Sequence, residues 1–298
     1  MSQTTQALLA SWNWRADVML VVAPLALVYG VGWGRLRRQK ARIAVRWRLV
    51  LYTAGLATIC LALLSPIDTF GSFLFTMHMV QHELLVMVVP LLLLLSDPFP
   101  AMLWGLPRSL RVGIGHLLTR GASFRQVVCA ATWMPISLSL FVTTLWAWHY
   151  PPMFEASLRN EFTHDAQHLS FFVTGILLWW PIVNPAPRVH GHVAYGLRIV
   201  YVLLAVLQNT LLAALISLTE RVLYPYYTTV PRLWGLTPLE DQMTGGLIMW
   251  IPGGMMFVIT VLVLVTRMLD REEQITLQRE AIALRHGSPH GETPQAEG

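Results

Sequence analysis

The stretch FGSFLFTMHMVQHELLVMVVPLLLLL, residues 70–95, decides what kind of fold this chain adopts. As a helix rising about 1.5 Å per residue, it is long enough to cross a hydrocarbon core of about 30 Å. Three ionisable side chains interrupt it: His78, His82 and Glu83. Such groups inside a span are costly, and each is by default a mark of function.

Six further apolar runs, at about 17–33, 47–65, 127–148, 163–184, 194–218 and 241–266, approach or exceed the length of a span. The expected fold is an all-α membrane protein, a seven-transmembrane helix bundle. Composition agrees. Of 298 residues 55% are hydrophobic and 12% charged, half the share of roughly 25% that a soluble domain carries. Aromatic residues mark several span ends: Trp12 and Trp14, Trp47, Trp146 and Trp148, Tyr224 to Tyr227, and Trp234.

The net charge of +5 lies in short basic clusters between apolar runs, so it reads as a topology signal and not as a nucleic-acid footprint. Of 21 Lys and Arg residues, only Arg15, Arg159, Arg221 and Arg232 fall on one set of alternate connections. The other set includes Arg35, Arg37, Arg38, Lys40, Arg42, Arg46 and Arg48, the connection 96–126, Arg188 and Arg198, and the residues after the last span. The positive-inside rule then puts the N-terminus outside and the C-terminus in the cytoplasm.

The expected organisation is a short periplasmic N-terminus (1–16), a transmembrane domain (17–266), a cytoplasmic helical extension (267–285) and a disordered tail (286–298) that removes His286 and His290 from consideration. Residues 1–16 show no cleavage site after an apolar core, so no cleaved signal peptide is expected. The connection 99–126 has the spacing of an amphipathic helix on the inner surface. Cys60 and Cys129 sit in different runs with no paired spacing, which argues against thiol redox chemistry or thiolate metal transfer. His116, His190 and His192 read as solvated loop positions.

The polar residues of the spans concentrate at one level. The third span carries Met77-His78-Met79-Val80-Gln81-His82-Glu83, and the fifth begins Thr163-His164-Asp165-Ala166-Gln167-His168. The fourth ends in His149 and the seventh begins Asp241-Gln242-Met243. With the third helix starting near Phe70, His78 would lie about 12 Å deep and His82 about 18 Å, in the outer half of the membrane. His78 and His82 are four residues apart, as are His164 and His168, so each pair shares a helix face and can reach one point beside it.

That is the arrangement by which a helical His-x-x-x-His holds one metal ion. A lone membrane histidine is usually a packing residue, but two such pairs at one level are hard to assign to packing alone. The expected ligands are His78, His82, His164 and His168. Four nitrogens suit copper, zinc or iron, and thioethers from Met77, Met79 or Met243 would favour Cu(I). His149, Asp241 and Gln242 are candidates to hydrogen-bond the far nitrogens of the ligating rings, although Asp241 also suits a helix N-cap. Metal affinity is expected to fall as pH drops through about 6.5, because only neutral imidazole ligates. His82-Glu83 begins a zinc-protease motif, but Val86 stands where its second histidine would be, so the protease reading fails. Gly245, Gly246, Gly253 and Gly254 are expected to permit close helix contact, and Pro252 to kink the last span.

Together these segments resemble the CtaG family of multi-span cytochrome c oxidase assembly factors of bacterial membranes, as distinct from the single-span copper chaperone sometimes given that name. The resemblance rests on His78-Met79-Val80-Gln81-His82-Glu83-Leu84-Leu85 followed by Pro90, and on His164 and His168 followed by Phe171, Gly175 and Trp179-Trp180-Pro181. It rests also on Asp241-Gln242, Gly245-Gly246, Met249-Trp250 and Pro252. A single proline at 90 departs from relatives that often show two. The resemblance implies a protein of the bacterial plasma (inner) membrane that helps build haem-copper oxidase by handling copper at the outer leaflet. Its partners would be oxidase subunits, a periplasmic copper donor and the bilayer, with no nucleic acid.

Three other readings compete, one of them a purely scaffolding role in which the histidines only pack. A haem-binding membrane protein needs only one axial histidine from each of two helices. A metal permease needs polar groups reaching the inner leaflet, and Leu91 to Leu95 and Ile176 to Ile182 offer none.

Overall fold

The computed structural model describes residues 11–119, 121–191 and 193–286. Arg120, His192, most of the predicted N-terminal segment and residues 287–298 of the predicted tail, with His290, lie outside the described residues. Among the described residues there are helices and no strands. Six helices are long and apolar enough to cross a membrane, and seven spans result if one bent pair counts as a single span.

The first two spans are α1 (Ala16–Arg38) and α2 (Arg46–Leu64). A short α3 (Pro66–Gly71) follows, started by Ser65, whose side chain accepts the Ile67 amide. The third span, α4, runs Phe75–Leu95. Three short helices, α5 (Pro98–Gly105), α6 (Arg108–Leu117) and α7 (Ser123–Ala131), fill the next connection. None of the residues of α6 is buried, in keeping with an amphipathic surface helix.

The fourth span differs from the expected 127–148. The chain bends by 66° between α7 and α8 (Met134–His149). Pro135 opens α8, where its missing amide costs nothing. His190 is not a solvated loop residue either: its Nε2 lies 2.8 Å from Thr132 Oγ1, pinning a distant loop at the bend.

Next come α9 (Pro151–Arg159), α10 (Glu161–Val183), α11 (Tyr195–Leu218) and a single turn, α12 (Tyr226–Thr229). The last span, α13, begins at Pro238 under a capping box in which Thr237 and Glu240 satisfy each other's amides. It continues through a π-helical turn, Met249–Gly253, into Gly254–His286.

Burial separates centre from periphery. Over the most apolar windows, 56% of α4 and 50% of α10 are enclosed, against 22% of α1 and 28% of α2. The peripheral pair buries one stripe, with Val18, Val22, Tyr29 and Leu36 on α1, and Tyr29 stacks on Tyr52 at 3.7 Å. The central core joins α4, α8, α10, α11 and α13 through residues such as Met79, Phe141, Phe171, Trp179 and Phe257.

Two prolines loosen the central helices. Pro90 offers no N–H to the Val86 carbonyl, and α4 widens into a π-helical turn at Leu84–Val88. A Cβ on Gly175 of α10 would stand 2.5 Å from that Val86 oxygen, so the two helices meet backbone to backbone here. In α13, Pro252 lies within the second π-helical turn, and Asn209 Nδ2 donates to the Met249 carbonyl at 2.9 Å. A side chain of the neighbouring helix thus supports the backbone inside this turn, as a membrane interior requires.

Candidate metal centre

Helices α4 and α10 bring their histidines to the same level. α10 starts at Glu161 because the Asn160 side chain accepts the Thr163 amide. His164 and His168 therefore lie about 4–5 and 10–11 Å from the helix start. His78 and His82 stand at the same offsets, because α4 begins at Phe75 and not near Phe70. The start near Phe70, from which the depths are reckoned in the sequence, lies five residues before the helix begins.

The two pairs face each other. Within α4 the His78 and His82 rings are 4.3 Å apart, and within α10 His164 and His168 are 4.1 Å apart. Across the interface, His78 lies 5.4 Å from His164 and His82 lies 5.5 Å from His168. The four are not equivalent. His78, His82 and His168 are all buried and can each offer a ring nitrogen within 4.8 Å of the other two, as three ligands of one ion would. His164 is half-buried and stands outside that group.

Among the described residues, no hydrogen bond of ordinary geometry reaches any of the six ring nitrogens of His78, His82 and His168, although the Gln167 amide and the Gly71 backbone lie near His78. Each such buried group costs on the order of 1–3 kcal/mol if left unsatisfied. A single orphan is tolerable, but six in one place mark the cluster as the candidate site for an ion or ordered water. Phe154 and Phe171 wall the cluster, with ring centres 5.0 Å from His78 and 4.6 Å from His82 respectively. Tyr224 and Tyr227 cover it from the end of the bundle, donating to the carbonyls of His149 and Gly71, both at 3.0 Å. Their positions at a span end suggest an interfacial belt, but at 1% and 2% exposure they are interior residues.

The expected supporting residues fare differently. His149 lies beside the cluster, 6.1 Å from His82, but its Nδ1 donates to the Leu145 carbonyl of its own helix at 2.7 Å. Its Nε2 has no partner among the described residues. Asp241 and Gln242 are engaged by backbone groups and not by imidazoles. Asp241 accepts the Phe75 and Thr76 amides at 2.8 and 3.0 Å, and so caps α4 from another helix. Gln242 accepts the Leu223 amide at 2.6 Å and donates to the Arg221 carbonyl at 3.1 Å, fixing the loop that carries the tyrosines. Of the thioethers, Met243 is 42% exposed and Met77 is half-buried. Met79 is fully buried and packs against the Gly245 position, while also lining a cavity of about 20 Å³ with His82, Glu83 and His149. Glu83 sits against Gly253, where a Cβ would come within 2.8 Å of its carboxylate.

Three residues given no role by the sequence reading belong here. Gln81 and Gln167 are fully buried, each one position before a histidine of the cluster. Gln81 Nε2 donates to the Ala62 carbonyl at 2.9 Å and to Asp68 Oδ1 at 2.7 Å, and the Gln167 amide has no partner among the described residues. Burial raises the Asp68 carboxyl from its ordinary value, against the opposing pull of the Gln81 hydrogen bond and of the nearby His164 and Arg15. The amides stood in the quoted motifs, but nothing local linked Asp68 to them.

Two cavities approach the cluster. One, of about 420 Å³, lies at the end of the bundle and is lined by Arg15, Asp68, Ser72, Arg159, Glu161 and His164. The other, of about 380 Å³, is a lateral crevice among α1, α2 and α10, mostly apolar, with His168 on its wall.

A multi-pass helical membrane protein with a buried polyhistidine cluster is the class that fold and site define. The chain belongs to the cytochrome c oxidase caa3 assembly factor (Caa3_CtaG) family, whose model matches residues 27–271. It is also similar to uncharacterized proteins of Mycobacterium bovis and Mycobacterium tuberculosis, each 26% identical over 280 residues, and to one of Mycobacterium leprae, 24% identical over 284. These alignments cover 90% of this chain but 41% of each relative, so the chain spans about two-fifths of their length. No solved structure matches it.

Proposed function

We propose that this protein assists assembly of cytochrome c oxidase by holding a copper ion on His78, His82 and His168 and releasing it to an oxidase subunit. The observation that carries this reading is the meeting of three buried imidazoles with ligand atoms within 4.8 Å and no protein partner among the described residues. Three neutral nitrogens in an aromatic, nearly dry enclosure suit Cu(I), which accepts low coordination and soft surroundings. Family membership supplies the link to an oxidase. Copper is cargo here and the protein performs no turnover. The distribution of Lys and Arg supports a periplasmic position for the cluster and a bacterial inner-membrane location for the chain. The lateral crevice reaching His168 supports release sideways to a partner in the bilayer. A haem at the three imidazoles is less favoured, because the space beside His82 and His149 is about 20 Å³, room for about one water.

Metal analysis of the purified protein tests the proposal. The wild type should retain one copper per chain, and His78→Ala with His168→Ala should abolish retention. Unchanged copper in that double variant would remove these ligands, and a Soret band in the visible spectrum would replace copper with haem.

A further inference from the structure

The four histidines divide into a buried three and an outer one, and the outer one borders a cavity of different chemistry. We propose that the cavity of about 420 Å³ lined by Asp68, Glu161 and His164 is the uptake site for the cation, which Asp68 and His164 hold first and His164 passes to the buried three. This rests on the copper reading above and adds a route to it.

Charge and position both favour this role. Two arginines line the cavity, but each has an acidic partner elsewhere: Arg15 is held by Asp17 and Asp165 at 2.6 and 2.8 Å, and Arg159 pairs with Glu155 at 3.3 Å. The carboxylates of Asp68 and Glu161 therefore set the sign of the field in the cavity, which draws in cations. Asp68 is held in place by Gln81, which lies between the two ligating histidines of α4. His164 stands between this cavity and the cluster, with its ring 4.1 Å from His168 and 5.4 Å from His78. Directly behind it are those two side chains, 5% and 0% exposed, with all four ring nitrogens unpartnered among the described residues. Transfer inward is then a ligand exchange. As a metal–oxygen bond to Asp68 breaks, a metal–nitrogen bond to His168 forms, the bond to His164 is replaced by one to His78, and His82 adds the third nitrogen. Neutral imidazoles need release no proton, and the metal keeps its oxidation state.

The test is kinetic. Full-length protein in detergent is given Cu(I) as its coloured bicinchoninate complex without oxygen, and both the rate and the final extent of copper capture are followed. Asp68→Asn keeps an acceptor for Gln81 and removes only charge. It and His164→Ala should slow capture by about tenfold or more, with the same final stoichiometry as wild type. His82→Ala should lower the stoichiometry. Wild-type rates in both Asp68→Asn and His164→Ala, with capture lost in His82→Ala, would overturn the uptake site and leave the buried site standing. Loss of stoichiometry in His164→Ala would overturn the division into three and one. Full capture by His82→Ala, or none by wild type, would remove the buried site and the uptake route with it.

Discussion

Asp241 accepts the backbone amide of Phe75 at 2.8 Å, although the two residues lie on different spans and 166 positions apart. Its other oxygen takes the Thr76 amide at 3.0 Å, and Thr76 Oγ1 donates back to the Asp241 carbonyl at 3.0 Å. Helix α4 has no side-chain cap of its own. The last span therefore starts the helix that carries His78 and His82, and thereby sets their height against His164 and His168. Capping side chains contribute about 1 kcal/mol each, and buried amides left bare cost about 1–3 kcal/mol. Asp241→Ala should lower the unfolding temperature in detergent clearly and Asp241→Asn less, since Asn keeps one acceptor. Equal melting of Asp241→Ala and wild type would show that the cap does not hold the helix.

Gly175 sets the spacing of the same two helices from the other side. A methyl group there would meet Val86 O at 2.5 Å and Val86 Cα at 3.1 Å, both backbone atoms that cannot turn aside. Gly175→Ala should cost about 1–3 kcal/mol and weaken copper retention by spreading the histidine pairs. Gly30 and Gly34 of α1 have nothing within 4 Å of a built Cβ. There, Ala should be neutral or stabilising by about 0.5–1 kcal/mol. Thermal melts of the three variants check the order, and a Gly175→Ala protein as stable as Gly30→Ala would contradict the close contact.

What the sequence made legible follows from periodicity. Apolar runs of span length and the i, i+4 spacing of His78 with His82 and His164 with His168 are local patterns, and each survives in the folded chain. The features missed are contacts between distant segments. The α4 start at Phe75 depends on a carboxylate from α13, and the burial of Tyr224 and Tyr227 on a loop folded across the bundle. The bend before Met134 was hidden because the residues on both sides are apolar. Hydropathy cannot separate a straight span from a broken one.

Orientation is testable independently of the metal. Arg48 pairs with Asp97 at 2.9 Å, and Asp97 also accepts the Ala186 amide at 2.8 Å, so the start of α2 and the connections after α4 and α10 meet at the end of the bundle away from the histidines. The positive-inside rule assigns that end to the cytoplasm. A green fluorescent protein fused after Ile282 should fluoresce and alkaline phosphatase fused there should be inactive. The reverse pair of results would invert the bundle and put the histidine cluster on the cytoplasmic face.

Arg15 joins the first span to the histidine helix and stands between the two cavities, lining both. Its guanidinium meets the Asp165 carboxylate in a two-point contact, both at 2.8 Å, beside His164. The hydrogen bonds it donates to Asp165 and then to Asp17 raise its affinity for the proton further, so it stays charged at any working pH. Exposed ion pairs contribute about 0–1 kcal/mol. With 14% exposure for the arginine and 42% for the aspartate, this one belongs near the upper end. A double-mutant cycle on Arg15→Ala and Asp165→Ala should therefore give a coupling of about 1 kcal/mol. The functional effect should be larger than the structural one. Removing the side chain would join the polar cavity to the lateral crevice, so copper loaded on Arg15→Ala should pass to a soluble chelator faster than from wild type, at unchanged stoichiometry. Unchanged release, with the coupling present, would make Arg15 a clamp between helices and no part of the wall.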